Sequence, residues 1–439
     1  MYPNHITMAL ECKQHYRGES GKMEKIKAIV IGAGGRGMNA YPPYALRHPD
    51  ELEIVGVAEP DAARREQFAR MFSLAPEACY TSYEQILDGE KKADLAMICT
   101  GDDLHIQPLT LAVEKGYHIL LEKPMAPNLA DSVKIYNIAK QYDKIISVGH
   151  VLRYTPFFKK LKELLDAGTI GRIMSIQHNE NVGFWHQAHS FVRGTFRQTP
   201  ESAPMILAKC CHDMDILLYL TGKNCKKVAS FGALSHFTRE NQPAGAAERC
   251  ISCKVADACP YDAVRFYTNA KDWTLFALGC SEESSEAEIL EKLKTHRLGR
   301  CVYACDNNVV DHQVMGMEFE DDITVAFTMS GFTEENTRTI KIMGARGEIG
   351  GNMEENSIQI KDFTTGNVTQ IHLSPAASGH GGGDDGLMKN LMRAVRGEEP
   401  CLTAATISLQ SHMMAFAAEE SRKKGTVVDL EAFTKQHGA

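Results

Sequence analysis

The sequence predicts an α/β domain with a parallel sheet, followed by an α+β domain with an antiparallel sheet. Up to about residue 150, short apolar runs alternate with amphipathic helical segments, the pattern of βαβ units. Beyond that point, strand-like runs follow one another without intervening helices. The length of 439 residues exceeds one ordinary core. We expect an extension over 1–22, a first domain over 23–150 and a second over 151–439.

Five apolar segments define the strands of the first domain, and each ends where a turn or loop begins. In order they are "IKAIVIGAG", "LEIVGVAEPD", "DLAMICTG", "HILLEKP" and "IISVGHV". The segment "RGMNAYPPYALRHP" after the first strand predicts a helix with a break at its prolines. In the second domain the strands are "RIMSIQHNENV", "VASFGAL", "VMGMEFEDDITVAFTMSGF", "RTIKIMGARGEIGGN" and "SIQIKDF". Residues 238–310 form an irregular, cysteine-rich insert.

Charge and composition exclude several classes of partner. The formal net charge of −8 and the pI near 6.1 argue against binding nucleic acid or an anionic membrane. No apolar run approaches the roughly 20 residues of a transmembrane helix. Thirteen cysteines without a secretory signal indicate reduced thiols, and hence a cytoplasmic setting.

A glycine motif marks the expected dinucleotide site. Gly32, Gly34 and Gly37 follow the first strand directly and open the next helix. Such glycines permit a tight turn, close approach of the backbone to a pyrophosphate and close helix–strand packing. Glu59 ends the second strand, where an acidic residue accepts hydrogen bonds from the adenosine ribose and repels a 2′-phosphate. NAD is therefore favoured over NADP, although Arg36 and the pair Arg64–Arg65 leave room for NADP.

Several segments resemble the Gfo/Idh/MocA oxidoreductases, a family that includes glucose–fructose oxidoreductase and inositol dehydrogenase. The matching segments are "AIVIGAGGRG", "VGVAEPD", "HIQPLTLAVEKGYHILLEKP" and the later "HDMD". The resemblance implies a Rossmann domain, a second domain with an open, mostly antiparallel sheet, and NAD(P) with its nicotinamide between them. It also implies a sugar or polyol substrate oxidised at a ring hydroxyl, and a homodimer or homotetramer formed through the sheet.

The Glu122-Lys123-Pro124 triplet is the most specific mark of this resemblance. By resemblance, Lys123 contacts both cofactor and substrate, and His105 frames the cofactor or caps a helix. The expected cofactor-binding residues are Gly32, Gly34, Arg36, Gly37, Glu59, Thr100, His105, Glu122 and Lys123.

The segment "ILAKCCHDMDILLYL", residues 206–220, combines ionisable and apolar side chains in one predicted helix. At about 100° per residue, its four ionisable residues share one side, and apolar residues occupy that side one turn later. They are Lys209, His212, Asp213 and Asp215. Buried ionisable groups need a partner or a function. We expect His212 to act as catalytic acid/base, assisted by Lys209 or Lys123, with Asp215 orienting the imidazole and Asp213 facing the substrate. The alternative is a structural network, with Lys209 paired to Asp213 and a His–Asp pair.

The resemblance is incomplete at this helix. The inositol dehydrogenase type carries an Asp four residues before the His that His212 matches, and that position here is Ala208. Lys209 stands one residue further on. Either the base acts through Lys209 or the chemistry differs from simple alcohol oxidation.

Other polar and aromatic residues are expected to bind the substrate. The segment 179–198 is predicted to be a loop that offers an aromatic face for sugar C–H bonds and polar groups for hydroxyls. The expected substrate residues are Arg153, Tyr154, Trp185, His186, His189, Arg193 and Asp213. Weaker candidates are Asn181, Arg197 and His150, and His380 and Asp384 in the glycine-rich segment 378–386.

The insert carries a possible structural zinc site. Cys250-x-x-Cys253, Cys259 and Cys301 would complete a tetrahedral set, with Cys305 as an alternative to Cys301. Unligated thiols are the alternative, and the spacing disfavours an iron–sulfur cluster.

Three functions remain open at this stage. The favoured one is an NAD-dependent dehydrogenase acting on a ring hydroxyl of a sugar, glycoside or cyclitol. The second is an NAD-dependent glycosidase that oxidises a sugar transiently, eliminates the aglycone and returns the hydride. The third is a non-catalytic NAD-binding regulator, against which the intact triplet and the charged helix argue.

Overall fold

The computed structural model describes residues 24–199, 202–270, 272–375 and 379–438. The predicted extension 1–22 and Ser378 of the glycine-rich segment lie outside the described residues. The chain forms two compact units. The first contains the described residues up to Lys159, together with Pro375–His412 and the residues from His437, and the second contains Lys160–Ser374 and Met413–Gln436. The chain thus returns to the first unit near its end. A division of the chain at residue 150 alone does not describe this return.

The strands, numbered in chain order, are β1 Ile26–Ile31, β2 Leu52–Ala58, β3 Cys79–Tyr80, β4 Leu95–Ile98, β5 His118–Leu121, β6 Ile146–Val148, β7 Ile173–Gly183, β8 Cys225–Ala233, β9 His312–Phe319, β10 Thr324–Thr333, β11 Thr337–Gly344, β12 Gly347–Asn352, β13 Ser357–Asp362, β14 Val368–His372 and β15 Val428–Asp429.

The α-helices are α1 Gly35–Asn39, α2 Pro43–Arg47, α3 Ala62–Phe72, α4 Tyr83–Leu87, α5 Ile106–Glu114, α6 Leu129–Gln141, α7 Pro156–Asp166, α8 Phe184–His186, α9 Met205–Ala208, α10 Cys211–Thr221, α11 Ala263–Asn269, α12 Thr274–Leu278, α13 Glu286–Thr295, α14 Gly383–Val395, α15 Ala405–Lys424 and α16 Leu430–Gln436. None of the described helices is both long enough and apolar enough to cross a lipid bilayer.

The first unit contains a parallel six-stranded sheet in the order β3-β2-β1-β4-β5-β6. This confirms the predicted Rossmann topology, and β1 and β4 flank the point where the strand order reverses. The predicted break after β1 is also confirmed, because Pro43 opens α2 as a separate helix. Asp61 caps α3 by accepting a hydrogen bond from the Arg64 N–H at 2.9 Å.

The second unit contains a nine-stranded sheet in the order β14-β13-β12-β11-β7-β10-β9-β8-β15. Every neighbouring pair is antiparallel except β7 with β10, so the prediction of a mostly antiparallel sheet is confirmed. The apolar segment predicted as one strand over 314–332 is two strands, β9 and β10, joined by a turn over 320–322.

The insert is more regular than its composition predicts. Helices α11, α12 and α13 enclose an apolar cluster of their own, with Tyr267, Leu275 and Leu293 at its centre. Ser285 and Glu288 form a reciprocal capping box at the start of α13. The insert therefore has a small core, which gives its side chains fixed positions.

Candidate active site

The glycine turn after β1 has the geometry of a dinucleotide site. Gly32 has a φ of +89°, and a Cβ there would lie 2.8 Å from the Cys99 carbonyl oxygen. A Cβ on Gly37 would lie 1.8 Å from the Gly32 carbonyl oxygen. By contrast, a Cβ on Gly34 would meet no atom within 4 Å. Two glycines are thus required for the turn itself, and open space lies over the third, as a pyrophosphate needs.

Glu59 is fixed beside this turn. Its side chain is buried, Oε2 accepts the Ala33 N–H at 2.8 Å and Oε1 accepts the Asp61 N–H at 2.9 Å. Arg64 donates to Oε1 at 3.0 Å, and Arg65 donates to the Glu59 carbonyl at 2.6 Å. Both arginines therefore already bind Glu59, which makes them less available to bind the 2′-phosphate of NADP.

Arg36, another residue considered for NADP, is held by two carboxylates of the same unit. Its Nε donates to Glu122 at 2.7 Å, and Nη2 and Nη1 donate to Asp384 at 2.8 and 3.1 Å. Burial alone would raise the pKa of Glu122, but the charges of Arg36 and Lys123 lower it. Arg36 therefore ties the glycine turn to the triplet instead of facing an open phosphate site. This corrects its assignment as a possible NADP contact.

The glycine-rich segment before α14 joins this cluster. His380 Nδ1 lies 3.2 Å from Arg36 Nη1 and 3.2 Å from Asp384 Oδ1. Burial alone would raise the pKa of Asp384, but His380 and Arg36 hold it well below its ordinary value. His380 has a φ of +50°, a conformation that is strained for a residue with a Cβ. His380 and Asp384, which were weaker candidates in the sequence analysis, thus lie beside the glycine turn.

Lys123 follows β5 at the carboxyl edge of the parallel sheet, and its N–H donates to Glu122 at 2.7 Å. His105 bridges the neighbouring loops, with Nδ1 3.0 Å from the Pro124 carbonyl and Nε2 3.3 Å from the Thr100 carbonyl. The buried Thr100 hydroxyl has no hydrogen-bond partner among the described residues. A buried hydroxyl in this position is suited to a ligand, so the residues of the first unit fit a dinucleotide.

Arg153 and Tyr154 have internal partners. Arg153 donates to the Leu402 carbonyl at 3.2 Å, and the Tyr154 hydroxyl donates to Asn390 at 2.9 Å. Both side chains are buried and fasten the returning segment 375–412 within the first unit. Their polar ends thus bind protein, and their assignment to the substrate stays a prediction.

The helix predicted over 206–220 is broken in two. Helix α9 ends at Ala208 and α10 begins at Cys211, so Lys209 lies at the break. His212 and Asp215 occupy the first turns of α10 and are 5% and 1% exposed. The ionisable side chains of α10 are therefore buried in the second unit, and Lys209 lies outside this helix, next to Glu180.

Asp213 belongs to a buried ion network. Its Oδ1 lies 2.8 Å from His178 Nε2 on β7 and 2.8 Å from Arg338 Nε on β11. Burial alone would raise the pKa of Asp213, but Arg338 and His178 lower it to about 2. Asp213 therefore joins α10 to β7 and β11 through this network, and its predicted role at the substrate stays a prediction.

Glu180, also on β7, extends this network. It pairs with Arg338, and its Oε1 lies 3.5 Å from Lys209 Nζ. Burial raises the pKa of Glu180, although the charges of Arg338 and Lys209 oppose this. The structural alternative is thus half correct. A His–Asp pair is present, but it uses His178, and Lys209 pairs with Glu180 instead of Asp213.

The segment 179–198, predicted as a loop, begins in β7 and is helical over 184–193. Helix α8 continues into a π-helix over Gln187–Arg193, a form that is frequent at functional sites. His186 Nδ1 lies 2.8 Å from the Asn336 side-chain oxygen, and His189 Nδ1 lies 2.6 Å from the Tyr267 hydroxyl of the insert. Burial and the charge of Arg193 lower the pKa of His189 to about 4.

Arg193 serves the insert and not a ligand. Its guanidinium donates to the Arg300 carbonyl at 2.7 Å and to the Tyr261 carbonyl at 2.6 Å. The side chain is buried. It therefore fastens the insert to the π-helix, and its assignment to the substrate stays a prediction. Arg197 similarly pairs with Asp306 at 3.1 Å.

The zinc site is not supported. Four of the thiols named for it line one small cavity: Cys250, Cys253, Cys259 and Cys301. Among the described residues, however, no group of three or more Cys, His, Asp or Glu side chains is disposed to hold a metal ion. Arg193 lies 3.5 Å from the Cys250 sulfur and opposes a second positive charge there. The alternative thiol, Cys305, donates to the Cys301 carbonyl at 3.3 Å.

Family comparisons agree with both units. Residues 26–150 match the model described as oxidoreductase family, NAD-binding Rossmann fold, and residues 162–430 match its C-terminal alpha/beta domain. The putative oxidoreductase YteT of Bacillus subtilis is 22% identical over 83% of this chain and 87% of its own length. Inositol 2-dehydrogenase of Corynebacterium glutamicum is 26% identical over 47% of this chain and 57% of its own length.

Solved structures share the fold. Levoglucosan dehydrogenase in complex with NADH and L-sorbose has a TM-score of 0.71 at 18% identity, covering 93% of this chain and 99% of that one. The WlbA dehydrogenase of Chromobacterium violaceum, in complex with NADH and UDP-GlcNAcA, has a TM-score of 0.64 at 18% identity and covers 92% and 96%.

Proposed function

Because the chain belongs to the Gfo/Idh/MocA oxidoreductase family, we propose that it oxidises a ring hydroxyl of a sugar, glycoside or cyclitol with NAD. The observation that carries the proposal is the contact of Arg36 with Glu122, the residue directly before Lys123. Because Arg36 lies in the glycine turn, this contact supports a position of Lys123 beside that turn. Oxidation of a secondary alcohol needs such a cation next to the dinucleotide, because it can hold the reacting oxygen.

The cofactor is assigned to the first unit. The backbone around Gly32, Gly34 and Gly37 would hold the pyrophosphate, and Glu59 the adenosine ribose. Thr100 and His105 would frame the adjoining part of the dinucleotide, consistent with the unsatisfied Thr100 hydroxyl. When bound, NAD supplies the acceptor for the hydride. The position of Glu59 and the engagement of Arg36, Arg64 and Arg65 support NAD over NADP.

Transfer of the proton from the substrate hydroxyl is assigned to buried residues of the second unit. In this proposal His212 accepts the hydroxyl proton, Lys123 and Lys209 hold the oxygen, and Asp215 orients the imidazole. Ala208 stands where the family pattern has an Asp. Glu180 supplies a carboxylate 3.5 Å from Lys209, and burial favours its protonated form. We therefore assign Glu180 as the positioning residue of Lys209.

Redox-neutral glycoside cleavage is the second candidate. The missing Asp at position 208 and the Lys209–Glu180 pair favour it, because oxidation, elimination and reduction need several proton transfers. Stoichiometry separates the two activities. A dehydrogenase accumulates NADH with its substrate, whereas the glycosidase releases an aglycone without net NADH.

Assembly and setting are also proposed. One face of the nine-stranded sheet exposes Phe231 and Val314, which pair across β8 and β9 and are 69% and 44% exposed. Such a patch supports a homodimer or homotetramer formed through the sheet, to be tested by light scattering of wild type and Phe231→Glu. The described cysteines form no disulfide, which supports a reducing, cytoplasmic setting.

The direct test is a substrate screen. Monosaccharides, inositols and aryl glycosides are incubated with purified protein and NAD, and reduced nicotinamide and released aglycone are both measured. Formation of NADH with one sugar or cyclitol supports the dehydrogenase. Aglycone without NADH supports the glycosidase, and neither product with any substrate contradicts both.

A further inference from the structure

The insert adds an aromatic wall to the segment that precedes the buried cluster. Helix α11 contributes Phe266, whose ring is stacked on that of Trp185 with centroids 5.9 Å apart and an interplanar angle of 24°. Trp273, at the start of α12, lies 6.4 Å from the same indole. Two chain segments more than 80 residues apart thus form one surface within the second unit.

The wall is held rigidly from behind. The Trp273 ring meets His189 edge-on at 5.1 Å and His186 at 5.3 Å. His189 is fixed by its 2.6 Å hydrogen bond to Tyr267, and His186 by its 2.8 Å contact with Asn336. The indole itself remains 53% exposed. A large apolar ring that is held in place and still faces solvent is suited to a ligand.

The wall adjoins the proposed catalytic cluster along two strands. Trp185 follows Glu180 of β7 by five residues, and Asn336, the partner of His186, lies two residues before Arg338, the partner of Glu180. Burial, and then the positive charge of Lys209, lower the pKa of His186 well below its ordinary value, so the charge of Lys209 is felt at the imidazole. Neutral imidazoles beside aromatic faces also provide the mixture of hydrogen-bonding and apolar contacts that sugars require.

We propose that Trp273, with Trp185 and Phe266, forms a stacking subsite for a second pyranose ring, so that the substrate is a disaccharide or longer glycoside. This rests on the proposed sugar dehydrogenase and names the class of its substrate. Sugar rings present apolar C–H faces that can pack on the exposed face of an aromatic ring. The insert would thereby set specificity, although the reacting hydroxyl lies elsewhere on the substrate.

The test compares two substrates that share the reacting sugar. The best monosaccharide from the screen and its glucosyl disaccharide are assayed with wild type, Trp273→Ala and Trp273→Phe. Phe363→Ala, at an exposed aromatic in the turn after β13, is the matched control. The ratio of kcat/KM for disaccharide over monosaccharide should fall about tenfold in Trp273→Ala, which is about 1.4 kcal/mol. It should stay within threefold of wild type in Trp273→Phe and unchanged in the control. An unchanged ratio in folded Trp273→Ala overturns the proposal.

Direct binding keeps the test independent of turnover. The sequence contains two tryptophans, so in Trp185→Phe all indole emission comes from Trp273. Maltose and cellobiose are titrated into this variant with NAD present. A saturable change in emission supports the subsite even if no sugar reduces NAD, in which case only the proposed oxidation fails. No change with either disaccharide, and none with a glycoside that is turned over, contradicts the subsite.

Discussion

Asp384 binds Arg36 through two hydrogen bonds of 2.8 and 3.1 Å, although 348 residues separate them in the sequence. Arg36 lies in the glycine turn, and Asp384 opens the helix of the returning segment. The turn proposed to hold the dinucleotide is thus fixed by a residue near the other end of the chain. The position of Lys123 depends on the same arginine, because Arg36 also binds Glu122.

Removal of this carboxylate should weaken both the fold and the dinucleotide site. Asp384→Asn leaves a partly buried guanidinium with one carboxylate fewer, a change that costs about 3 kcal/mol in comparable buried pairs. We expect the free energy of unfolding to fall by about that amount and the Kd for NAD to rise at least tenfold. Urea denaturation and calorimetric titration measure the two effects.

The neighbouring residue provides the control. Asp385 pairs with Arg47 at the surface, where such contacts contribute less than about 1 kcal/mol. Asp385→Asn should leave stability and NAD affinity close to wild type. Equal losses in the two variants would show that Asp384 has no special role.

Cofactor preference should depend on Glu59. Glu59→Ala removes the proposed ribose contact and leaves Arg64 without its carboxylate, so NADP gains a favourable charge. The ratio of kcat/KM for NAD over NADP should fall at least tenfold. Glu66→Ala, at an exposed position of the same helix as Arg64, should leave the ratio unchanged. A preference for NADP in the wild type would contradict the assignment.

Lys123 and His212 should be required for turnover but not for folding. Loss of a positioned acid/base lowers kcat by about 10²- to 10⁴-fold, and we expect losses of this size in Lys123→Ala and His212→Ala. Binding of NAD to His212→Ala should remain within threefold of wild type. If both variants turn over every active substrate as fast as wild type does, the result favours a non-catalytic NAD-binding regulator.

The stability contributed by Asp213 should vanish in acid. Its pKa is about 2 in the folded protein and near 3.8 when unperturbed. A depressed folded pKa stabilises the fold above the unfolded pKa, and this contribution is lost as the pH falls from about 4 towards 2. Asp213→Asn should therefore be less stable than wild type at pH 6, with a difference that shrinks at pH 3. A difference that grows on acidification would contradict the network.

Glu180 should tune the proton chemistry through Lys209. Glu180→Gln keeps the shape but cannot take a charge, so the pH profile of kcat/KM should lose its dependence on this group. We expect kcat to fall about tenfold, with partial recovery in Glu180→Asp. A profile identical to wild type would reduce Glu180 to a structural role.

Local patterns predicted most of the fold because they act over short distances. The glycine turn, the period of the first-unit strands and the proline break are all encoded within a few residues of where they act. The return of segment 375–412 and the helices of the insert depend on long-range packing, which a single sequence does not express.

The candidate site was predicted less completely. His212 and Asp215 are buried, as their apolar neighbours in the sequence indicated, but the residues around them were not predicted. His178 and Glu180 occupy the inward face of β7 together with Ile176 and Val182, so polar residues at buried positions of a strand were the available signal. Arg338 is 125 residues from Asp213 and has no such signal, because its partner is determined only by sheet register.

Transfer of a label from substrate to cofactor tests the central claim most directly. A sugar carrying deuterium at the oxidised ring carbon is incubated with the protein and NAD, and the nicotinamide is examined by mass spectrometry. We predict deuterated NADH in wild type and at least a hundredfold less in His212→Ala. Absence of reduced nicotinamide with every sugar and cyclitol, together with no saturable binding of dinucleotide, would contradict the account.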